Sequence, residues 1–288
     1  MTLRPRRSAL YMPGSNARAL EKAKALAADV IIMDLEDAVA PEMKDTARAQ
    51  IAAMVASGGY GKREIVIRTN GLDTPWVEAD IGAAIAAGPD AILVPKVSSA
   101  ADVARLAQLL QGAKPALRLW AMIETPLAIL NLREIAATAA DPANRLACFV
   151  LGTNDLVKET RAELDGDRTA ALFWLSATVT AARAYGIEVL DGVYNNFKDL
   201  DGCRREALAG KRLGMDGKTL IHPDQIAIAN EVFAPSESEV AWARKIIAAF
   251  EQPEHKGKGA ITLDGRMVEL LHAEIARRTV AIAEAIAS

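Results

Sequence analysis

Two carboxylates, Glu124 and Asp155, stand where a metal site can form. Each follows a short apolar run, at residues 117–123 and 147–151. No histidine or cysteine spaced for metal binding accompanies them, and oxygen ligands of this kind suit Mg²⁺, which usually takes one or two carboxylates. Two other interpretations stay open: Asp155 as a helix N-cap, and both acids as partners of nearby cations.

Two cations also stand at the ends of apolar runs. Arg68 ends the run 64–69, and Lys96 follows the run 91–94. A guanidinium binds a carboxylate through two parallel hydrogen bonds, so Arg68 is the predicted anion receptor, with a salt bridge to a neighbouring acid as the alternative. Lys96 could form a Schiff base, but a metal site and a Schiff base are alternative ways to stabilise an enolate, and one of them suffices. Four more acids occupy such ends: Asp34, Glu36, Asp37 and Asp191.

A glycine-bearing turn at residues 12–16 precedes a helical segment that carries Arg18 and Lys22. The two cations are four residues apart and share one helical face. Exposed amides and two cations near a helix start suggest a phosphate contact, whereas a solvated basic face is the alternative. Of the three histidines, only His222 stands near a predicted strand end.

These residues require a scaffold that brings strand ends together. Short apolar runs predict strands at residues 9–13, 30–33, 64–69, 91–94, 117–123, 147–151, 188–190 and 212–220. Alanine-rich segments with helical spacing alternate with them at 17–27, 76–87, 100–111, 129–139, 170–185 and 200–209. Eight such units favour an α/β fold of the TIM (β/α)8 barrel type, which gathers the strand ends in one site, over an open doubly wound sheet.

The composition limits the classes of partner. A formal net charge of −3 gives no reason to expect nucleic acid or an anionic membrane. No apolar run reaches the roughly 18 residues of a membrane span, and no signal-peptide core follows the basic start of the chain. We therefore expect a cytoplasmic protein that acts on a small molecule.

The chain continues beyond the eighth predicted strand. We assign residues 1–250 to the barrel and residues 251–288 to a C-terminal extension. Residues 251–259 are polar and glycine-bearing, which predicts a mobile loop, and a last helix is predicted at 267–287. This extension could act as a lid or reach a neighbouring subunit.

Several motifs together resemble the citrate lyase β-subunit and malyl-CoA lyase group of the HpcH/HpaI aldolase family. They occur in the family's order and cover nearly the whole chain. They are residues 6–14 (RRSALYMPG), 33–39 (MDLEDAV), 67–70 (IRTN), 94–96 (VPK), 123–126 (IETP), 151–156 (LGTNDL) and 221–226 (IHPDQI).

The resemblance implies a TIM barrel that forms trimers or hexamers. It implies a Mg²⁺-dependent lyase that cleaves malyl-, citramalyl- or citryl-CoA to an acyl-CoA and a 2-oxo acid. By position, Glu124 and Asp155 become metal ligands, and Glu124 and Arg68 contact the substrate. The remaining matched positions are Tyr11, Arg18 and Lys22 for the CoA nucleotide, and Ile221 and His222 for the thioester channel.

One position departs from the family pattern. The lyases carry a catalytic aspartate in the C-terminal segment, which reaches a neighbour's active site, and here Glu269 stands in that place. Asp264 is a second, less well aligned acid. A misplacement of about 1 Å can cost on the order of 100-fold in rate. The chain could therefore be a retuned lyase, a malyl-CoA-type thioesterase or a member with different chemistry. It could also be a citrate lyase β-subunit that acts only within a complex.

Overall fold

A computed structural model describes residues 4–288, so the first three residues of the predicted barrel lie outside the described part. The described chain divides into two compact units. One comprises Arg6–Asn230, and the other is centred on Glu231–Ser288.

The first unit is a closed parallel barrel in which each strand pairs with the next and β8 returns to β1 through Ser8↔Lys218 and Leu10↔Leu220. The predicted TIM barrel is therefore confirmed, and the open-sheet alternative is wrong. Its strands are β1 (Ser8–Pro13), β2 (Val30–Asp34), β3 (Glu64–Arg68), β4 (Ala91–Val94), β5 (Arg118–Ile123), β6 (Leu146–Leu151), β7 (Glu188–Asp191) and β8 (Gly217–Leu220).

The helices surround the strands or follow them. The helices of the first unit are α1 (Ala17–Ala23), α2 (Lys44–Ser57), α3 (Val77–Ala87), α4 (Ala100–Leu109), α5 (Pro126–Leu130), α6 (Leu132–Ala137), α7 (Thr153–Thr160), α8 (Leu172–Ala184) and α9 (Leu200–Leu213). Asn16 caps α1 by accepting a hydrogen bond from the Ala19 amide at 3.0 Å. Across residues 4–288, no helix combines the length and the apolar character that crossing a membrane requires.

Alternation along the strands decides which side chains enter the barrel. Val30 and Ile32 of β2, Val66 of β3, and Trp120 and Met122 of β5 belong to one buried interior cluster. Alternate residues of a strand point to the same face. The same parity therefore carries Asp34, Arg68 and Glu124 into the barrel mouth at the carboxyl ends of the strands.

The opposite end of the barrel is closed by ion pairs. Arg6 donates to Glu64 at 2.6 Å and to Glu188 at 2.7 Å, where β3 and β7 begin. Its guanidinium lies 4.9 Å from the centroid of the Trp120 ring. The open end is therefore the one where the charged strand ends meet.

The second unit contains α11 (Glu237–Glu251), a hairpin of β9 (Ala260–Leu263) and β10 (Arg266–Glu269), and α12 (Leu270–Ala287), while α10 (Ile226–Phe233) leads into it. Its small core includes Ile246, Ile261 and Val268. Helix α11 thus belongs with the extension, whereas the sequence boundary at 250/251 assigned it to the barrel. The hairpin was missed, although its two-residue Asp264-Gly265 turn is a strong sequence signal for one.

Candidate active site

A pocket of about 310 Å³ opens at the carboxyl ends of the barrel strands. It is lined by predicted site residues and by loop residues that follow the strands. They are Tyr11, Asp34, Asp37, Ala38, Arg68, Met122, Glu124, Leu151, Gly152, Thr153, Asn154, Asp155, Val193, Asn195, Thr219 and Ile221.

Arg68 is held at the pocket floor by Asp34. Its Nε and Nη2 atoms each donate to one Asp34 carboxylate oxygen at 2.6 Å, which is a bidentate pair between neighbouring strands. Asp34 in turn accepts hydrogen bonds from the Glu36 and Ala38 amides at 2.8 and 3.2 Å. The Tyr11 ring lies 4.7 Å from the Arg68 guanidinium carbon. The guanidinium is therefore fixed in orientation on both its edge and its face.

The third guanidinium nitrogen of Arg68 lies near two further acids. Nη1 lies 2.7 Å from a Glu36 oxygen and 3.3 Å from an Asp37 oxygen. Burial raises the pKa of Glu36 to about 7 despite the opposing effect of Arg68, and Asp37 and Asp34 raise it further. Arg68 thus makes the predicted alternative salt bridges, and it also lines the pocket where an anion receptor would stand.

Glu124 is buried at the end of β5, where its Oε1 accepts a hydrogen bond from the Lys96 amide at 2.8 Å. Lys96 adopts a left-handed backbone with φ of 55°, which aims its amide at this carboxylate. A Cβ at Gly152 would collide with the Glu124 side chain, so a glycine is required there. Burial, with the charges of Glu36 and Asp155, raises the pKa of Glu124 to about 8.

Asp155 lies in the first turn of α7, with its carboxylate 4.0 Å from Lys96 Nζ. The N-cap of this helix is Gly152, so the alternative that Asp155 serves as the N-cap is wrong. Asp155 is one of the residues that line the pocket.

The pocket has the donors of a hard-cation site. Glu124 and Asp155 offer oxygen ligands, and within residues 4–288 no group of three or more His, Cys, Asp or Glu side chains forms a metal cluster. Mg²⁺ is commonly bound by one or two carboxylates, and its other coordination positions are taken by water and substrate. Burial, and next the charges of Glu36 and Asp155, disfavour the ionised form of Glu124, and a bound cation would offset this effect. The residues present therefore fit Mg²⁺.

Some of the other predicted residues line the pocket and some do not. Tyr11 and Ile221 line the pocket, and burial raises the pKa of Tyr11 well above its ordinary value. Arg18 and Lys22 are exposed on α1 and lie outside the pocket lining. His222 stacks on Phe197 with ring centroids 4.8 Å apart.

Glu269 lies in the second unit, where it ends β10. Its carboxylate caps α12, and its amide donates to His272 Nδ1 at 2.9 Å. Asp264 pairs with Lys245 at 2.9 Å on an exposed surface.

Asp191 faces away from the pocket, although it ends β7. Its carboxylate contacts Arg168 Nη1 at 2.8 Å and Lys218 Nζ at 3.3 Å in a fully buried cluster. The position of Asp191 at a strand end predicted that it lies on the rim of the pocket. The alternation of side chains along β7 points it outward instead.

Sequence reasoning missed Asn154 and Asn195, whose side chains bond to each other at the pocket mouth. Asn154 immediately precedes Asp155, and Asn195 follows β7. A search for amides as well as charges beyond strand ends could have found both.

Comparisons with known proteins agree with this architecture. The family model HpcH/HpaI aldolase/citrate lyase matches residues 7–223. A (3S)-malyl-CoA thioesterase of Cereibacter sphaeroides is 50% identical over 284 residues, which is 99% of this chain and 96% of that protein. The citrate lyase subunit beta of Leuconostoc mesenteroides is 37% identical over 92% of this chain and 89% of its own length.

Solved structures show the same fold. Protein CitE from Mycobacterium tuberculosis, in complex with magnesium, acetoacetate and coenzyme A, superposes with a TM-score of 0.76 and 30% identity, over 97% of this chain and 99% of that one. RipC from Yersinia pestis has a TM-score of 0.70 and 29% identity, over 83% of this chain and all of that one.

Proposed function

The chain belongs to the HpcH/HpaI aldolase/citrate lyase family, and we propose that it is a Mg²⁺-dependent thioesterase acting on a malyl-CoA-type thioester. The observation that carries the proposal is its 50% identity, over 99% of its length, with a protein named (3S)-malyl-CoA thioesterase. The pocket supports it, because Arg68, Glu124 and Asp155 together suit a small acid and a divalent cation.

Glu124 and Asp155 would hold the metal. Bound Mg²⁺ supplies Lewis-acid polarisation of substrate oxygens and a template that orients the acid. The Lys96 amide fixes one Glu124 oxygen, so the carboxylate is already oriented for a ligand role.

Arg68 would receive the negative charge of the substrate. Asp34 holds two of its nitrogens, and Nη1 faces Glu36 and the pocket-lining Asp37. A substrate carboxylate would compete with these acids for Nη1. Such a fixed guanidinium stabilises charge that develops during reaction without reorganising.

The remaining roles stay proposals carried by the resemblance. Tyr11, Arg18 and Lys22 would contact the CoA nucleotide, and Ile221 and His222 would line the thioester channel. Glu269, contributed by an adjacent subunit, would be the acid/base group. Glutamate keeps the carboxylate of the family aspartate, but its side chain is one methylene longer. The cytoplasmic location also stays a prediction.

A lyase that cleaves a carbon–carbon bond is the second candidate. A Mycobacterium tuberculosis citrate lyase beta subunit has been solved complexed with oxaloacetate and magnesium, which shows that a member of this fold binds a 2-oxo acid and this metal together. The identities of 36–37% to citrate lyase beta subunits favour a third arrangement, a subunit that acts within a complex.

The distinguishing experiment is a product assay with malyl-, citramalyl- and citryl-CoA, each with Mg²⁺ or with EDTA. We expect malate and free CoA from malyl-CoA with Mg²⁺, and loss of activity with EDTA or in Asp155→Asn. Glyoxylate and acetyl-CoA as the products would establish the lyase instead. Full activity after thorough chelation would exclude the metal scheme.

The role of Glu269 has a matched test in the same segment. We expect Glu269→Gln to lose most activity, whereas Asp264→Asn keeps it, because Asp264 is exposed and paired with Lys245. Equal activity of both variants and the wild type would assign the acid/base role elsewhere.

A further inference from the structure

Two asparagines bridge the start of α7 and the loop after β7 at the mouth of the pocket. Asn195 Nδ2 donates to Asn154 Oδ1 at 2.7 Å, and Asn154 Nδ2 donates to Asn195 Oδ1 at 3.2 Å. Asn154 lies at the start of α7, and Asn195 lies in the loop after β7. Both side chains are exposed and both line the pocket.

This pair leaves hydrogen-bonding capacity on the pocket wall. A primary amide carries two N–H donors and an oxygen with two lone pairs. Each asparagine spends one donor and one lone pair in the mutual bonds, so each keeps a second N–H. The donors of two other lining residues are already engaged, because Arg68 faces carboxylates and the Thr219 hydroxyl donates to the Asp191 carbonyl at 2.8 Å.

The position of the pair fits one part of the proposed substrate. The buried floor holds Arg68 and Glu124, and it would take the carboxylate and hydroxyl end of the acid. The thioester carbonyl of such a substrate lies one methylene farther along the chain, toward the mouth. Asn154 is next to Asp155 in sequence, and both residues line the pocket.

We propose that Asn154 and Asn195 bind the thioester carbonyl oxygen through their amide N–H groups and stabilise the negative charge that forms on it. This inference rests on the proposed function for the identity of the thioester. It adds two catalytic residues that donate to the reacting oxygen. Neutral donors suit this position, because a further cation would compete with the metal for the pocket acids.

Hydrolysis of the thioester places negative charge on the oxygen that these donors would bind. Water adds to the thioester carbon, gives up one proton to the base, and the carbonyl π pair moves onto oxygen. The tetrahedral oxyanion then collapses, the C–S bond breaks, and the sulfur leaves as thiolate, which takes up a proton. One water is consumed, and one carboxylic acid and one CoA thiol are formed. Removing one such donor from an oxyanion site typically costs about 100- to 1,000-fold in kcat.

The test uses Asn154→Ala and Asn195→Ala, with Asn196→Ala as the matched control. Asn196 is the adjacent exposed asparagine, and it lies outside the pocket lining. With malyl-CoA and Mg²⁺, we expect kcat to fall about 100-fold or more in each test variant while KM changes less than about threefold. The control should match the wild type. Asn195→Asp should fall at least as far, because it places an anionic oxygen where a donor stood.

A purely structural role would give a different pattern. It would lower the melting temperature or raise KM, while kcat would change little. That result would overturn the inference. So would unchanged kcat in Asn154→Ala and Asn195→Ala when the wild type hydrolyses malyl-CoA.

Failure of the proposed function is recognised separately. If the wild type gives glyoxylate and acetyl-CoA, the thioesterase proposal fails, yet the enolate of that reaction places charge on the same oxygen and the same kcat loss is expected. If the wild type turns over neither way, the carbonyl stretching frequency of bound acetyl-CoA decides. The inference then requires a lower frequency in the wild type than in Asn195→Ala, because the amide N–H groups polarise the carbonyl, and equal frequencies in both proteins would refute it.

Discussion

At the scale of single residues, the pocket is a set of acids whose burial is only partly offset by cations. Asp34 has Arg68 as a bidentate partner, whereas Glu124 has one backbone amide, from Lys96. Unpaired buried charge is costly, so Glu124 is the residue of this site that most needs a metal. The proposed ligand role of Glu124 therefore follows from its environment as well as from its place at a strand end.

Gly152 offers a direct test of how tightly Glu124 is held. We expect Gly152→Ala to displace the Glu124 carboxylate, because the new methyl group would collide with its Oε2 and Cβ. Overpacking of this kind costs roughly 1–3 kcal/mol. Isothermal titration with Mg²⁺ should show weakened binding, and urea unfolding should show lower stability. Gly166→Ala is the control, because a Cβ there meets nothing within 4 Å. Unchanged Mg²⁺ affinity in Gly152→Ala would contradict the ligand role of Glu124.

The raised pKa of Glu124 predicts how stability depends on pH in metal-free protein. Burial, with Glu36 and Asp155, raises this pKa to about 8, above the ordinary value of 4.5. For an acid with a raised folded pKa, the stabilising contribution is complete below the ordinary pKa and is lost as pH rises through the folded pKa. In EDTA, we expect the unfolding free energy of the wild type to fall between about pH 5 and pH 8.5, relative to Glu124→Gln.

Urea unfolding at constant ionic strength measures this difference. Added Mg²⁺ should stabilise the wild type most at the high end of the range, where Glu124 must ionise, and should stabilise Glu124→Gln much less. Parallel pH profiles for the two proteins in EDTA would rule out the raised pKa.

At the scale of elements, strand ends and the start of a helix supply different residues of the site. The strands supply Asp34 and Arg68, the residue directly after β5 is Glu124, and the start of α7 supplies Asp155 next to Asn154. Loops after strands carry the variable chemistry of such barrels, while the strands fix where it stands. The second unit is organised differently, around a hairpin that holds Glu269 at its end.

The hairpin turn predicts a local cost of substitution. Asp264 and Gly265 have φ values of 47° and 76°, as a two-residue turn with left-handed residues requires. We expect Gly265→Ala to destabilise the protein by about 1–2 kcal/mol, because a Cβ is disfavoured there. Thermal and urea unfolding measure the effect. Gly259→Ala is the matched control, since a Cβ there meets nothing within 4 Å and no left-handed backbone is required. Equal stability of both variants would show that this turn is not under constraint.

At the scale of the whole molecule, the second unit exposes large apolar side chains. Met267, Leu270, Leu271 and Ile275 are 50–68% exposed on β10 and α12. Leu271 and Ile275 are four residues apart on one face of α12, and clustered exposed apolar side chains commonly mark a protein contact. This exposed surface supports the proposed homotrimer or hexamer and a role of the extension toward a neighbouring subunit.

Sedimentation velocity tests this assembly. We expect a species with the mass of three or six chains of 30.7 kDa. Leu271→Ser with Ile275→Ser should shift the protein toward smaller species, whereas Glu274→Ala, an exposed polar position on the same helix, should not. A monomeric wild type at micromolar concentration would refute the oligomer and with it a shared site.

The sequence by itself determined the barrel and the main acids and cations of the site. Eight apolar runs alternate with helices, and runs of that kind form parallel strands whose ends must meet, so Arg68, Glu124 and Asp155 were predictable without coordinates. Only the tertiary structure decided which charged strand ends enter the pocket. Asp191 turns outward into a buried cluster with Arg168 and Lys218, because side chains alternate along β7 and the register of the barrel fixes the phase. The Asn154–Asn195 bridge likewise needed the structure, since these two residues are 41 positions apart and meet only when the barrel closes.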